Sequence, residues 1–268
     1  MRAADKRFFW RIKRINLYFI EMKKTLAILL LSFLVSSCSI IAKKQGEELN
    51  QKGLDYLSTL QYREAVNCFK GVSSMSFIDT ETKVLAYRNE AIAHSYLAEI
   101  DSARQCFLAA AELNDKKSYA YLVNISDVYI IDKKIDKAIG CLKQAITYKK
   151  DDFMVYNNLG LIYLGEYGPE YMDYDKALFY NKKVYEMTPD ITTKYTLAQS
   201  YYRKEEYPAA EKYFTELLEA APENTDYMIY QVYVKEGLKK TDEVEALKAK
   251  IKKLKPEVYE SYFGEVME

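Results

Sequence analysis

The chain has 268 residues with 39 Lys/Arg, 39 Asp/Glu, one histidine and four cysteines. Balanced charge argues against a nucleic-acid partner, which requires a basic face, and one histidine excludes a His-rich metal site. The nine glycines form no phosphate-cradling G-x-x-x-x-G-K or G-x-G-x-x-G loop, and one histidine cannot supply a Ser/His/Asp or Cys/His arrangement.

The front of the chain hides a charge imbalance. Its first 38 residues hold eight Lys/Arg against two Asp/Glu, leaving 31 basic against 37 acidic residues beyond them. In residues 1–21, Arg2, Lys6, Arg7, Arg11, Lys13 and Arg14 are interleaved with Phe8, Phe9, Trp10 and Ile12. This stretch reads as an upstream extension with the working start at Met22; the alternative is a basic segment lying on an anionic membrane. Residues 22–38 read as a targeting segment. Met22, Lys23 and Lys24 give a positive start, and residues 25–35 give an apolar run well short of the ~20 residues that span a bilayer. Leu34-Val35-Ser36-Ser37-Cys38 resembles the bacterial lipobox. The resemblance implies a diacylglycerol on the Cys38 sulfur and cleavage just before it, on the periplasmic side of a bacterial membrane. Ser39 is not the aspartate that holds enteric lipoproteins at the inner membrane, which favours the outer one. Residues 39–45 read as a short tether.

From residue 46 one spacing recurs: a small residue, an aromatic three places on, and an alanine twelve places after the small residue. Gly53, Tyr56 and Ala65 set it; Ala91, His94 and Ala103, then Ser126, Tyr129 and Ala138, then Ala198, Tyr201 and Ala210 repeat it. Gly160, Tyr163 and Ala177 keep it with five extra residues, and Val232, Lys235 and Val244 are a worn copy. A period near 34 residues marks stacked supersecondary units. Six helix pairs are predicted, at 46–79, 84–117, 119–152, 153–190, 191–224 and 225–258, with a closing helix over 259–268.

On the second helices, Ala65, Phe69 and Val72, or Ala138, Leu142 and Ala145, follow the spacing of one buried face. Asp101, Asp136, Asp175 and Thr241 are predicted to cap second helices, and Pro208 suits a first turn. No period-two alternation supports a strand. Asn181 and Lys248 stand where other units have an aromatic, so the fourth and sixth units are expected to pack loosely. Lys235 and Lys248 make the sixth a solvent-facing end. Cys68, Cys106 and Cys141 each fall three residues after a key alanine and read as structural thiols, since stacked helices ~10 Å apart are too far for a disulfide. His94, in a tyrosine position, reads as packed core. The insertion at 165–173 reads as a tolerated one, with a contact role as the alternative.

Asn158-Leu159-Gly160-Leu161-Ile162-Tyr163 reproduces the L-G-x2-Y core of a known motif. Ala65 and Phe69, Ala103 and Phe107, and Ala210 and Phe214 reproduce its A-x3-F. Pro189, Pro222 and Pro256 follow Ala177, Ala210 and Val244 by twelve residues, where the motif ends in proline. Residues 46–258 thus resemble the tetratricopeptide repeat, although no unit has that family's tryptophan. The resemblance implies an all-α right-handed superhelix of six repeats with a C-terminal capping helix. It implies a protein-binding scaffold and no enzyme, cofactor or metal.

By resemblance, a concave groove is lined three before, one after and four after each small residue. These positions are Asn50, Leu54 and Leu57; Arg88, Ile92 and Ser95; Val123, Asp127 and Ile130; Asn157, Leu161 and Leu164; Tyr195, Gln199 and Tyr202; and Ile229 and Tyr233. The lining is apolar. Arg88 is nearly alone and Ile92 stands where chaperone-tail binders have asparagine, so a carboxylate clamp is not expected. An apolar segment of a protein or peptide partner in the cell envelope fits better, with Tyr195, Tyr202 and Tyr233 as anchors. The alternative for each is plain packing within the superhelix. The function implied is a lipid-anchored scaffold or assembly factor of a bacterial envelope complex. The competing class is a structural subunit that oligomerises through its convex or end surface; an enzyme would depend on His94. No nucleic acid or small-molecule substrate is expected.

Overall fold

The structure, a computed structural model, describes Lys24 and residues 37–264. The upstream extension, most of the targeting segment and residues 265–268 of the closing helix lie outside the described residues. Among those described there is no strand, and helix follows helix in consecutive packed pairs. No helix among them is long and apolar enough to cross a membrane. The chain divides into two compact units at Lys116–Lys117.

The first unit holds α1 (37–58), α2 (Tyr62–Ser73), α3 (Thr80–Tyr96) and α4 (Ile100–Glu112). Among the described residues α1 is unbroken from residue 37, so the short tether expected at residues 39–45 is helical. Gly53 of α1 lies against the Phe69 ring of α2, where an added Cβ would come 2.5 Å from the ring edge. Ala65, Val66, Phe69 and Ala93 form the core around it.

The second unit holds α5 (Tyr119–Ile131), α6 (Ile135–Tyr148), α7 (Phe153–Leu164) and α8 (Tyr174–Met187). It continues with α9 (Ile191–Arg203), α10 (Tyr207–Ala220), α11 (Thr225–Gly237), α12 (Thr241–Leu254) and α13 (Pro256–Phe263). Leu142, Val155, Leu159 and Ile162 centre one core; Phe214, Leu217 and Val234 a second; Met228, Val232 and Ile251 a third. The closing helix begins at Pro256, three residues earlier than its spacing predicts, and lays Val258, Tyr259 and Phe263 on the third core. Proline at the first position costs no hydrogen bond there.

The two helices of a pair start differently. First helices are capped by side chains: Asp79, Ser118, Asp152, Asp190 and Asn224 each accept from a backbone N–H of the first turn. Five second helices have no side-chain cap. Asp101, Asp136, Asp175 and Thr241 lie inside the first turns and cap nothing; among the second helices α8 alone has a side-chain cap, Asp173. The reason is the preceding turn. The carbonyls of Tyr56, His94, Tyr129, Tyr201 and Lys235 accept from the N–H of the residue five places on, at 2.8–2.9 Å. The residue just before that donor (Leu60, Ala98, Lys133, Glu205 or Lys239) is left-handed, with φ between 56° and 61°. This is the Schellman closure of a helix C-terminus. Its last residue is already the N-cap of the second helix, so the turn geometry leaves no place for a capping side chain.

The inserted loop preserves this join. Helix α7 ends early at Gly165 (φ 100°), residues 169–171 make a short 3-10 turn, and Asp173 N–H reaches back to the Tyr163 carbonyl at 2.9 Å. That bond replaces the one the other pairs make. The fourth pair is not loose either. Asn181 is 1% exposed, donates to Ser200 Oγ at 2.8 Å, and sits where a Cβ on Gly160 would fall 1.9 Å from its Oδ1. Lys248 in the sixth pair lies over the Phe263 ring and pairs with Glu236 at 2.8 Å, so α13 covers it.

Candidate functional site

In the second unit, α9, α11 and α13 enclose a cleft of about 420 Å³. Tyr195, Tyr202 and Arg203 come from α9; Asp226, Ile229, Tyr230 and Tyr233 from α11; Tyr262 from α13. Helical spacing puts Tyr195, Gln199 and Tyr202 on one face of α9. The rings brace one another: Tyr202 stacks on Tyr233, Tyr230 stacks on Phe214 of α10, and Tyr195 meets Tyr230 edge-on. Offset and edge contacts of this kind favour a fixed arrangement. Gln199 Nε2 donates to the Tyr230 hydroxyl at 2.9 Å, tying α9 to α11.

Burial pushes the Tyr195 hydroxyl above its ordinary range, and neighbouring Tyr230 adds to it. Burial also raises Tyr202, against the opposing charge of Arg203, and raises Tyr233. These phenols stay protonated at neutral pH, so the walls offer aromatic faces with hydroxyls that both donate and accept. Arg203, its guanidinium 5.9 Å from the Tyr202 ring, and Asp226 supply one charge of each sign at the rim. Such a lining suits an apolar or aromatic side chain on a peptide whose backbone needs hydrogen bonds.

The structure brings Tyr195, Tyr202, Ile229 and Tyr233 of the predicted groove to this one cleft, with Gln199 behind it. Other predicted positions fare differently. Val123 and Leu164 are 2% and 5% exposed and belong to the core beneath α5 and α7, with Ile130 packed against it. Ile229 is 3% exposed, a wall more than a surface. Arg88 is buried with its guanidinium 6.0 Å from the Phe107 ring. Long side chains at these places fill the space between adjacent helices before they can reach a partner. Asp127 accepts from Asn158 at 2.9 Å, and buried Asn50 accepts from Asn89 at 3.1 Å. Ile92, Asn157 and Leu161 are half-buried, Ser95 and Leu54 exposed. Cys38 is an exposed free thiol on α1.

Tyr230, Arg203, Asp226 and Tyr262 were not among the predicted positions. Tyr227, Tyr230 and Tyr233, three residues apart on one helix, were the available signal. The inserted loop leans on the preceding pair: Tyr171 packs on the core shared by α5–α8, and burial and then the Asp127 carboxylate raise the Tyr167 hydroxyl.

Models of the tetratricopeptide repeat match residues 119–152 and 195–235. These segments are tetratricopeptide repeats. They coincide with α5–α6 and with α9–α11, and the helix pairs around them follow the same plan. The fold is similar to the Cut9–Hcn1 hetero-tetramer of the APC/C, at 15% identity and a TM-score of 0.65, over 87% of this chain and 46% of that one. It is also similar to pilF of Pseudomonas aeruginosa, at 18% identity and 0.57, over 83% and 97%. YrrB, described as a tetratricopeptide repeat protein with an unusual peptide-binding site, aligns at 18% identity and 0.50, over 65% and 87%. At such identities the likeness concerns fold alone. No curated protein sequence matches the chain. Repeats of this type are protein-interaction modules, and they present first-helix surfaces to peptide or protein partners.

Proposed function

We propose that this protein is a membrane-tethered scaffold that holds an extended, aromatic-rich or aliphatic segment of an envelope protein in the tyrosine-lined cleft of its last repeats. The observation that carries this reading is convergence: Tyr195, Tyr202 and Tyr233, expected as anchors from repeat position alone, line one cleft with Tyr230 and Tyr262. Tyr262 is 55% exposed at its mouth and gives an incoming side chain a first contact. The tether is a lipid on Cys38. The lipobox-like residues before it and the exposed position of Cys38 support that, and because Cys38 lies on α1 itself the first helix pair would lie against the bilayer. The favoured location is the periplasmic face of the outer membrane.

A photo-crosslinking amino acid at position 262 tests the cleft, with one at exposed Lys143 as control. Capture of one defined partner from 262 and none from 143, weakened by Tyr202→Ala, supports the reading. Equal capture from both positions, or capture indifferent to Tyr202, sinks it. Metabolic labelling with a radioactive fatty acid, lost in Cys38→Ser, tests the anchor independently.

A further inference from the structure

Glu90 and His94 are one turn apart on α3, and Cys106 faces them from α4; one ligand atom from each lies within 4.8 Å of the other two. All three belong to the first unit, whereas the tyrosine cleft is built by helices of the second. Their repeat positions make the coincidence informative. Where Glu90 precedes the small residue, the third to fifth repeats carry Ile125, Leu159 and Leu197. Where His94 follows it, most repeats carry tyrosine. Cys106 recurs as Cys68 and Cys141, yet only the second repeat surrounds the thiol with a carboxylate and an imidazole. Glu90 is 6% exposed and accepts hydrogen bonds from Ser73 and the Cys106 thiol, which offset only part of the cost of burying a carboxylate.

The imidazole is already oriented. His94 Nδ1 lies 2.6 Å from Glu99 Oε2, and Arg63 holds Glu99 through two bonds, at 2.6 and 3.2 Å. A carboxylate on Nδ1–H leaves the lone pair on Nε2. Nε2 points toward Glu90 at 3.8 Å, too far for a hydrogen bond. Ser73 Oγ, 3.4 Å from Glu90 Oε2, steadies the second carboxylate from α2, where Lys70 is the nearby cation. This is the arrangement of a metal-ligating histidine with its outer carboxylate, beside two further donor atoms.

We propose that Glu90, His94 and Cys106 bind a zinc ion, with Glu99 as the positioning carboxylate behind His94. Sulfur, nitrogen and oxygen together suit Zn²⁺, a borderline-soft ion with no fixed geometric demand, and three protein ligands leave one tetrahedral position for water. Tetrahedral bonds of about 2.0–2.3 Å need the donors closer than separations of up to 4.8 Å, so binding draws the three side chains together by about 1 Å. Burial, then Glu90, pushes the Cys106 thiol up to about 12, so the metal-free site holds its proton. On binding, the Sγ–H bond is replaced by Sγ–Zn and the proton passes to buffer. The ion then pins α3 to α4 and compensates Glu90.

Cobalt(II) titration of the full chain tests this, because a cobalt–thiolate bond gives a near-ultraviolet charge-transfer band. The expected result is one band saturating at one cobalt per chain and displaced by Zn²⁺. Cys106→Ser abolishes it; Cys38→Ser, Cys68→Ser and Cys141→Ser retain it; Glu99→Gln weakens the apparent affinity about 10–100-fold. Absence of the band in the parent chain, or its survival in Cys106→Ser, overturns the proposal. Should Cys106→Ser fail to fold, Glu90→Gln decides: loss of the Zn²⁺-induced rise in Tm supports the site, and an undiminished rise refutes it.

Discussion

Two glycines in helices show how one atom changes sign with its surroundings. Gly140, exposed on α6, has no heavy atom within 4 Å of where a Cβ would stand. Gly140→Ala therefore gains helix propensity alone and should stabilise by about 0.8–1 kcal/mol. Gly160 offers the same propensity gain, but its Cβ would collide with Asn181, which is buried and bonded to Ser200. Overpacking of a filled core costs about 1–3 kcal/mol, so Gly160→Ala should be a net loss of about 1 kcal/mol. Urea unfolding of the two variants checks both signs, and a stabilised Gly160→Ala would mean Asn181 is free to swing away. Asp79 is a second residue-scale case. Its carboxylate accepts from Thr82 N–H at 2.9 Å and from Thr82 Oγ1 at 2.8 Å, and the backbone bond foremost lowers its pKa. A value lowered by folding means the stabilisation is complete above the unfolded pKa of ~3.9 and is lost as pH falls through the folded value. Asp79→Ala should cost about 1 kcal/mol at pH 7. The gap between parent and variant should close in strong acid, measurable as converging urea midpoints.

At the scale of elements, the hairpin turn governs the repeat. The aromatic three places after the small residue does two jobs: its ring fills the gap beside that residue, and its carbonyl closes the helix. Only the first job is visible in a one-letter pattern, because any residue type has the carbonyl. The left-handed position is equally hidden, since Leu60, Ala98, Lys133, Glu205 and Lys239 are not the glycine or asparagine that announce such a turn. That is why Asp101 and Asp136 look like caps in the sequence and are not. The strain is real and removable. A non-glycine left-handed residue costs roughly 1–2 kcal/mol, while glycine loses about 0.5–1 kcal/mol of extra chain entropy. Glu205 adds a negative charge beside the C-terminus of α9, where the helix dipole disfavours it. Glu205→Gly should thus raise stability by about 0.5–1 kcal/mol, whereas Glu205→Val, β-branched in the same conformation, should lower it. Paired thermal melts would reveal a wrong assignment of the turn if the order reversed.

Across the molecule, what was legible is what the repeat period carries: an all-helical chain of consecutive packed pairs follows from small residues, alanines and prolines at fixed intervals. The cleft was half legible. Tyr195, Tyr202 and Tyr233 sit at repeat-defined places, but Tyr262 joins them only because α13 folds back, and Val123 and Leu164 turned inward because neighbouring helices approach too closely to leave them exposed. The cluster of Glu90, His94 and Cys106 was invisible, its members separated by a turn and split between two helices. Within the second unit each helix packs mainly on its sequence neighbours, so stability is a chain of nearest-neighbour terms. Damage at the end should therefore decay along the stack. Phe263 is the place to inflict it: its ring meets Tyr233, Tyr259 and Tyr262, and Lys248 lies over it at 5.2 Å. It is half-buried, so Phe263→Ala should remove about 1 kcal/mol. Hydrogen exchange should accelerate most in α11–α13, less in α9–α10 and not at all in α5–α6. Tyr262 loses its support in the same variant, so partner capture at the cleft should weaken along with protection of α11. Uniform acceleration through α5–α13 would instead reveal a unit that opens as one, and the cleft would then owe its shape to the whole stack instead of to its last two repeats.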